Sequence, residues 1–534
     1  MFDPDTCPTT DFLTPRASTT PERTAVVDVH HDREWTYRAL DVLVDNVASR
    51  LVGLLAEEGV SWLDDGEPAD TTAKSPPRIG CLLSNRLPFA ALLHASMRIG
   101  ATLVPMNTEL SATSLTHRFD RVEPSLLVCE RETAAAAREV AACPVVSVDQ
   151  PDLDTVEPLF LEGSGAGTEP SEAASGDTDQ HAQITPTTLD SEQTVLVLFT
   201  SGTTGEPKGV RITPRNLFAS ATASAFRLGV TPADRWLCCL PPYHMGGLAP
   251  VVRTAIYGTT LLVQREFDGS ETAEALRRHK GTGISLVPTQ LQRLLDDGWA
   301  PPEQLGTVLL GGAPASESLL ERALEADVPV YPTYGMTETT SQVATARPST
   351  VRTHPETVGQ PLFCTTVTVL DEDEPVEPGA QGELVVDGPA VTPGYLDADR
   401  TQEAFCEHGL RTGDVGRLDK DGRLTVLGRL DDQIQTGGKL VAPAEVRAAL
   451  LAHPAIDDAA VVGIEDREWG ERVAALVTTV EDGTLSSQAI DSHCRAELAS
   501  FKVPKSIVVA DSLPRTPSGT VDRDATRAII SREE

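Results

Sequence analysis

The sequence predicts an α/β protein with a large N-terminal domain of layered α/β sheets, a small β-subdomain, and a small α+β C-terminal domain. Three observations lead there. The 534 residues exceed what one hydrophobic core organises, so at least two domains are expected. Short β-branched runs alternate with amphipathic stretches, the pattern of an open sheet with crossover helices. Beyond residue 430 a separate set of helices and strands begins, enough for a small domain of its own. The expected division is 1–430 and 431–534.

Taken in order, 24–29 (TAVVDV) reads as a strand. From Tyr37, the residues Leu40, Leu43, Val44, Val47, Leu51, Leu54 and Leu55 recur at three- and four-residue spacing, which predicts a helix. The alternation continues through 78–84 (RIGCLLS), 87–100 (LPFAALLHASMRIG) and 101–107 (ATLVPMN). Residues 150–190 then turn acidic and low in complexity (LEGSGAGTEPSEAASGDTDQ), a solvated insertion without helical or strand periodicity. A buried strand, 194–199 (TVLVLF), follows, and then a helix at 216–226. The strand at 236–240 (WLCCL) runs into PPYHMGG, strand 284–289 into a helix, and strand 308–314 into glycines. Residues 360–430 hold short strands and turns, the expected β-subdomain. The C-terminal set comprises helix 443–453, strands 459–464 and 472–480, and helix 486–500.

Composition narrows the class. The balance of 44 basic and 79 acidic residues gives −35 with a pI near 4.6, and only seven of the basic residues are lysine. Dense carboxylate keeps a surface hydrated at high salt and argues against nucleic acid, so a halophilic type is expected. No apolar run approaches the length of a membrane span and the N-terminus has no leader pattern, so a cytoplasmic protein is expected, with no membrane partner. Nine cysteines without CxxC pairs read as buried, reduced thiols.

The chemistry begins at Thr200-Ser201-Gly202-Thr203-Thr204-Gly205-Glu206-Pro207-Lys208-Gly209. Glycines let backbone N–H groups approach an anion, hydroxyls add donors, and Lys208 adds a mobile charge, so the stretch reads as a phosphate cradle. It is not GxxxxGK[ST], because glycine follows the lysine. In Tyr334-Gly335-Met336-Thr337-Glu338-Thr339, a ring suited to stacking on a purine precedes a hydroxyl suited to phosphate and a carboxylate suited to magnesium. His244, at a strand's end beside paired glycines, suits a pocket floor. Arg253, on an apolar stretch, is either a snorkelling surface residue or an anion anchor. Asp414 (RTGD) offers a carboxylate for ribose hydroxyls, against the alternative of a solvated turn.

The strings TSGTTGEPKG, YGMTET, PPYH and TGD together resemble the adenylate-forming superfamily of acyl-CoA synthetases and luciferases over nearly the whole chain outside the acidic insertion. That resemblance implies an acid–thiol ligase using ATP, Mg2+ and coenzyme A, with a swivelling C-terminal domain. By it, Thr200, Ser201, Gly202, Thr203, Thr204, Gly205 and Lys208 hold the β- and γ-phosphates. Gly312, Ala313, Pro314 and Tyr334 frame adenine, Thr337 meets the α-phosphate, Glu338 holds the metal, and Asp414 takes the ribose near Arg429. Asp431 is the hinge, Gly437 and Gly438 line the pantetheine passage, and Trp469 contacts coenzyme A.

Longer strings (LPPYHMGGLAPVVRTAIYG, SLVPTQLQRLL, YGMTETTSQVAT, VGQPLF) are similar to the o-succinylbenzoate–CoA ligase family of menaquinone biosynthesis. This implies a dicarboxylate substrate with Arg253 on the carboxylate that is not activated, and His244, Thr289 and Ser341 completing the pocket. A medium-chain or aryl-acid ligase is the rival within the class. One position departs from the superfamily pattern: Thr520 stands where a lysine usually serves adenylation. A neighbouring cation, Lys502, Lys505 or Arg523, is the expected substitute, and a non-catalytic nucleotide-binding relative is the alternative.

Overall fold

The computed structural model describes residues 7–533 apart from 61–62, 65–66, 69–75, 151–155, 160–183, 201–205, 437–438, 442, 467–468, 481–486 and 516–520. Most of the acidic insertion, the centre of the phosphate loop, Gly437, Gly438 and Thr520 therefore lie outside the described residues. The chain divides into two compact units. The first comprises 1–355, 360–366 and 387–407; the second comprises 356–359, 367–386 and 408–534. The strands at 367–386 and 408–429 thus cluster with the last hundred residues, and position 430/431 lies within the second unit.

The first unit is built on two sheets. In the larger, eight strands run in the order Ser341–Thr345, Val330–Met336, Thr307–Leu310, Gly283–Leu286, Arg235–Cys238, Thr260–Val263, Thr24–Asp28 and Arg33–Thr36. The six inner strands are parallel and only the two edge pairings are antiparallel. Strands such as Thr307–Leu310 are buried at every position, as a parallel sheet covered on both faces requires.

The seven-stranded sheet runs Lys208–Ile212, Leu196–Thr200, Thr102–Pro105, Arg78–Leu82, Leu126–Cys129, Val145–Ser147 and Glu157–Pro158. It is parallel except for the first pair. The helix expected from Tyr37 spans Tyr37–Glu57, opens on the Thr36 hydroxyl accepting from Ala39 N–H, and buries every apolar position named from its periodicity. It packs with Leu87–Arg98 in the main core.

In the second unit, Gly382–Asp387, Gly409–Leu418 and Leu424–Arg429 form an antiparallel sheet. A five-stranded sheet centred on Ile456–Asp466 and Gly470–Thr479 follows. Val446, Leu450, Ile490 and Cys494 cover one of its faces, and Leu513 and Ile530 the other. All nine cysteines are free, and six are buried as expected, but Cys143, Cys364 and Cys406 are only half-buried. Among the described residues no helix is long and apolar enough to cross a membrane.

Candidate active site

Four neighbouring parallel strands of the larger sheet deliver the candidate residues at their carboxyl ends. Arg235–Cys238 leads to His244, Gly283–Leu286 to Thr289, Thr307–Leu310 to Gly312, Ala313 and Pro314, and Val330–Met336 carries Tyr334 and leads to Thr337 and Glu338. Ligands of open α/β sheets bind at that end, because the loops there are free to diverge while the strands hold their roots. Motifs spread over about a hundred positions of sequence are thereby brought to adjacent strands.

Around Glu338 the backbone is tight. Thr337–Thr339 is a single 3-10 turn, and Thr340 (φ 51°) and Ser341 (φ 106°) follow in left-handed conformations. The chain doubles back so closely that a Cβ on Gly335 would lie 1.6 Å from the Ser341 carbonyl oxygen, so no other residue can stand there. Glu338 Oε1 accepts a hydrogen bond from the Tyr395 hydroxyl at 3.0 Å. Tyr395 is itself bridged to Val210 in the strand Lys208–Ile212, and Lys208 Nζ lies 5.4 Å from its ring centroid. Tyr395 therefore ties the phosphate-loop lysine to the acidic residue of the YGMTET turn. Tyr395 lies in the 360–430 stretch of expected short strands and turns, where a tyrosine behind glycine is the only local signal of this role.

Thr200 and Lys208 face each other across an antiparallel pair, so a strand, not a helix, follows the glycine-rich stretch. Ser201, Gly202, Thr203, Thr204 and Gly205 lie outside the described residues. The carboxylate of Glu338, held by the Tyr395 hydroxyl, is an oxygen donor of the kind magnesium prefers.

Arg253 is 8% exposed, in the helix Met245–Tyr257, and no carboxylate lies within ion-pair distance among the described residues. The snorkelling alternative is thus excluded. Its Nη2 donates to Ser220 Oγ at 3.3 Å, and that hydroxyl donates to the Thr340 carbonyl at 2.6 Å, beside Ser341. Burial lowers the guanidinium pKa from its ordinary value. Ser220, a helix-interior serine, was not singled out in the sequence. His244 precedes the same helix; its ring meets Tyr243 edge-on at 4.8 Å and keeps an exposed face, while surrounding protein lowers its pKa by desolvation.

The second unit carries the remaining candidates. Asp414 is buried within the long strand Gly409–Leu418 rather than in a solvated turn, and its Oδ1 accepts from Arg429 Nη1 at 3.2 Å. Gly413 (φ 68°) is held so close that a Cβ would sit 2.9 Å from Arg429 Nη2. Asp431 is exposed in a 3-10 turn. Trp469, 43% exposed, has Lys505 Nζ 3.8 Å from its ring centroid. Of the expected substitute cations, Lys502 is paired with Glu445 at 2.6 Å and Arg523 with Asp432, whereas Lys505 has only the indole among the described contacts.

Comparison with known proteins agrees in both units. The AMP-binding enzyme family matches residues 70–396, and the AMP-binding enzyme C-terminal domain matches 445–520. The 2-succinylbenzoate–CoA ligase of Bacillus velezensis is 35% identical, covering 96% of each chain. The o-succinylbenzoate CoA synthetase of Bacillus subtilis in complex with its acyl-adenylate intermediate superimposes with a TM-score of 0.82 at 31% identity, covering 97% of this chain and 98% of that one. The same protein with ATP and a magnesium ion gives 0.80 at 31% identity, covering 96% and 98%.

Proposed function

Because this chain belongs to the AMP-binding enzyme family, we propose that it joins 2-succinylbenzoate to coenzyme A with ATP, in menaquinone biosynthesis. A carboxylate oxygen attacks the α-phosphorus of ATP and expels diphosphate, giving the acyl-adenylate. The coenzyme A thiol then attacks the acyl carbon and loses its proton, and AMP leaves. The first step gathers anions, so donors and cations must converge on the phosphates.

Thr200, Ser201, Gly202, Thr203, Thr204, Gly205 and Lys208 bind the β- and γ-phosphates in this reading, and Thr337 the α-phosphate. Glu338, oriented by Tyr395, holds the magnesium that enters with ATP and offsets phosphate charge. Gly312, Ala313, Pro314 and Tyr334 frame adenine, while Asp414, oriented by Arg429, takes the ribose. Asp431 serves as the hinge of the C-terminal domain. Gly437, Gly438 and Trp469 serve coenzyme A, and Lys505 is the cation favoured to replace the lysine absent at Thr520, the other two being engaged by carboxylates. A cytoplasmic setting follows from the three substrates, and the acidic surface is a high-salt adaptation.

The observation that carries the acid assignment is Arg253: a buried guanidinium with no carboxylate partner among the described residues suits a substrate with a second carboxylate. His244, Thr289 and Ser341 complete that pocket. The purified protein, incubated with ATP, magnesium, coenzyme A and a panel of acids, is expected to form 2-succinylbenzoyl-CoA and AMP in clear preference, read by mass spectrometry. Preference for a simple aryl or fatty acid would overturn the assignment.

A further inference from the structure

A second concave site lies on the first unit, away from the four strand ends described above. It encloses about 440 Å³ and is lined by Phe226, Arg227, Arg347, Ser349, Gln360 and Phe363 among others. Two features set it apart from ordinary surface. Phe226 and Phe363 are 66% and 49% exposed, and their rings lie together at 5.0 Å, tilted by 40°. Large rings left in water in this way cost solvation free energy unless something covers them.

The second feature is charge. Arginines in this acidic chain are commonly ion-paired, yet neither Arg227 nor Arg347 has a carboxylate within ion-pair distance among the described residues. The Arg227 guanidinium is fixed by three carbonyls, donating to Thr345 at 3.1 Å, Gln360 at 3.2 Å and Pro361 at 3.0 Å. Among the described residues Arg347 reaches only the Arg227 carbonyl, at 3.4 Å, from an exposed position. Burial and then the neighbouring Arg347 lower the Arg227 pKa, so two like charges face one hollow unneutralised.

We propose that this groove is a second ligand site, for a small planar aromatic anion. The phenyl rings supply a stacking wall, Arg227 supplies a fixed positive field, and Arg347 supplies the mobile donors that close on the anion. The volume falls in the range of small-molecule sites, and a neutral or cationic ring would leave the guanidinium pair uncompensated.

The test uses the full chain and 2-naphthoate as probe, with 2-naphthalenemethanol as the neutral control, both followed by calorimetry and saturation-transfer NMR. Saturable 2-naphthoate binding is expected, with the alcohol at least about tenfold weaker, since a charge-assisted hydrogen bond is lost. Arg347→Gln and Phe363→Ala should each weaken 2-naphthoate by about tenfold, while thermal melts and AMP formation from 2-succinylbenzoate stay unchanged. Two different variants guard against one that misfolds. Binding abolished by Arg253→Leu but indifferent to Arg347→Gln would place the probe in the acid pocket and overturn the proposal. So would equal binding of the alcohol, absence of binding, or a concentration-dependent dimer lost in Phe226→Ser, which would make a second copy of the chain the occupant. None of the overturning outcomes depends on which acid is activated.

Discussion

Two arginines of the first unit are buried to a similar degree and are treated in opposite ways. Arg98, 1% exposed, is surrounded by carboxylates: Asp11 at 3.2 Å, Asp45 at 2.7 Å and Asp41 at 2.5 Å, with the Thr14 hydroxyl at 3.0 Å. Burial alone would lower its pKa, but Asp11 and Asp41 outweigh that and raise it. Arg253, 8% exposed, has one serine hydroxyl and a lowered pKa. A protein takes charge out of water only when something answers it. At Arg98 the answer is the fold, which pins the helix Leu87–Arg98 to Asp11 and to Asp41 and Asp45 of the helix Tyr37–Glu57. At Arg253 no carboxylate answers among the described residues, and the proposed answer is the second carboxylate of the substrate. On the proposed function, one arginine carries stability and the other recognition.

The sharpest way to break that contrast is Arg98→Leu. It strands Asp11, which is fully buried, and should cost about 3–5 kcal/mol of stability in chemical denaturation. Preference among acids in whatever enzyme remains folded should be unaltered; a folded Arg98→Leu protein with changed acid preference would end the division of labour.

The same structural region should respond to pH through His94. Burial holds this imidazole down to about 4 from 6.5, with Asp11 and Arg98 as lesser influences, and its Nδ1 has no hydrogen-bond partner among the described residues. The depressed pKa means that its contribution is complete above pH 6.5 and is lost as pH falls through 4. Stability should drop by about 3 kcal/mol over that window, and His94→Leu should flatten the urea midpoint against pH there. An unchanged slope would mean that other groups carry the acid sensitivity.

Arg253→Leu is the complementary variant. It should lower kcat/KM for 2-succinylbenzoate by about 100-fold or more, because the second carboxylate would be buried unpaired. Its melting temperature should fall little or rise, since an uncompensated buried charge is removed. A large stability loss with unaltered acid preference would make Arg253 a second Arg98. The smallest effect expected is from Tyr395→Phe, which deletes the hydroxyl on Glu338 and keeps the ring under Lys208. About a tenfold fall in adenylation rate is expected, corresponding to one hydrogen bond of about 1.4 kcal/mol. ATP–pyrophosphate exchange measures it, and partial relief by added magnesium would tie the defect to the metal.

Much of this was legible in the chain. The helix Tyr37–Glu57 follows from a repeat that buries one face, and the strands Leu196–Thr200 and Thr307–Leu310 follow from short β-branched runs. The YGMTET turn was legible because its residues are contiguous and each is chemically distinctive. Ser220 and Tyr395 were not, because a serine inside a helix and a tyrosine after glycine are ordinary locally. Their meaning comes from partners 120 and 57 positions away. Asp414 shows the same limit: RTGD looks like a turn, and only its pairing with Arg429 makes it a buried strand residue.

By itself the sequence determined the α/β class, the order of the elements and the chemical vocabulary of the site, because periodicity, glycine placement and side-chain type act over a few residues. The tertiary structure alone decided which buried charge is complemented by the protein. Arg98 and Arg253 both stand in apolar helices and look alike there. Asp11, Asp41 and Asp45 lie 53–87 positions before Arg98, and folding brings them to it, while among the described residues it brings Arg253 the Ser220 hydroxyl and no carboxylate. The energy of a charge depends on what lies within a few ångströms, and proximity of that kind is set by the fold.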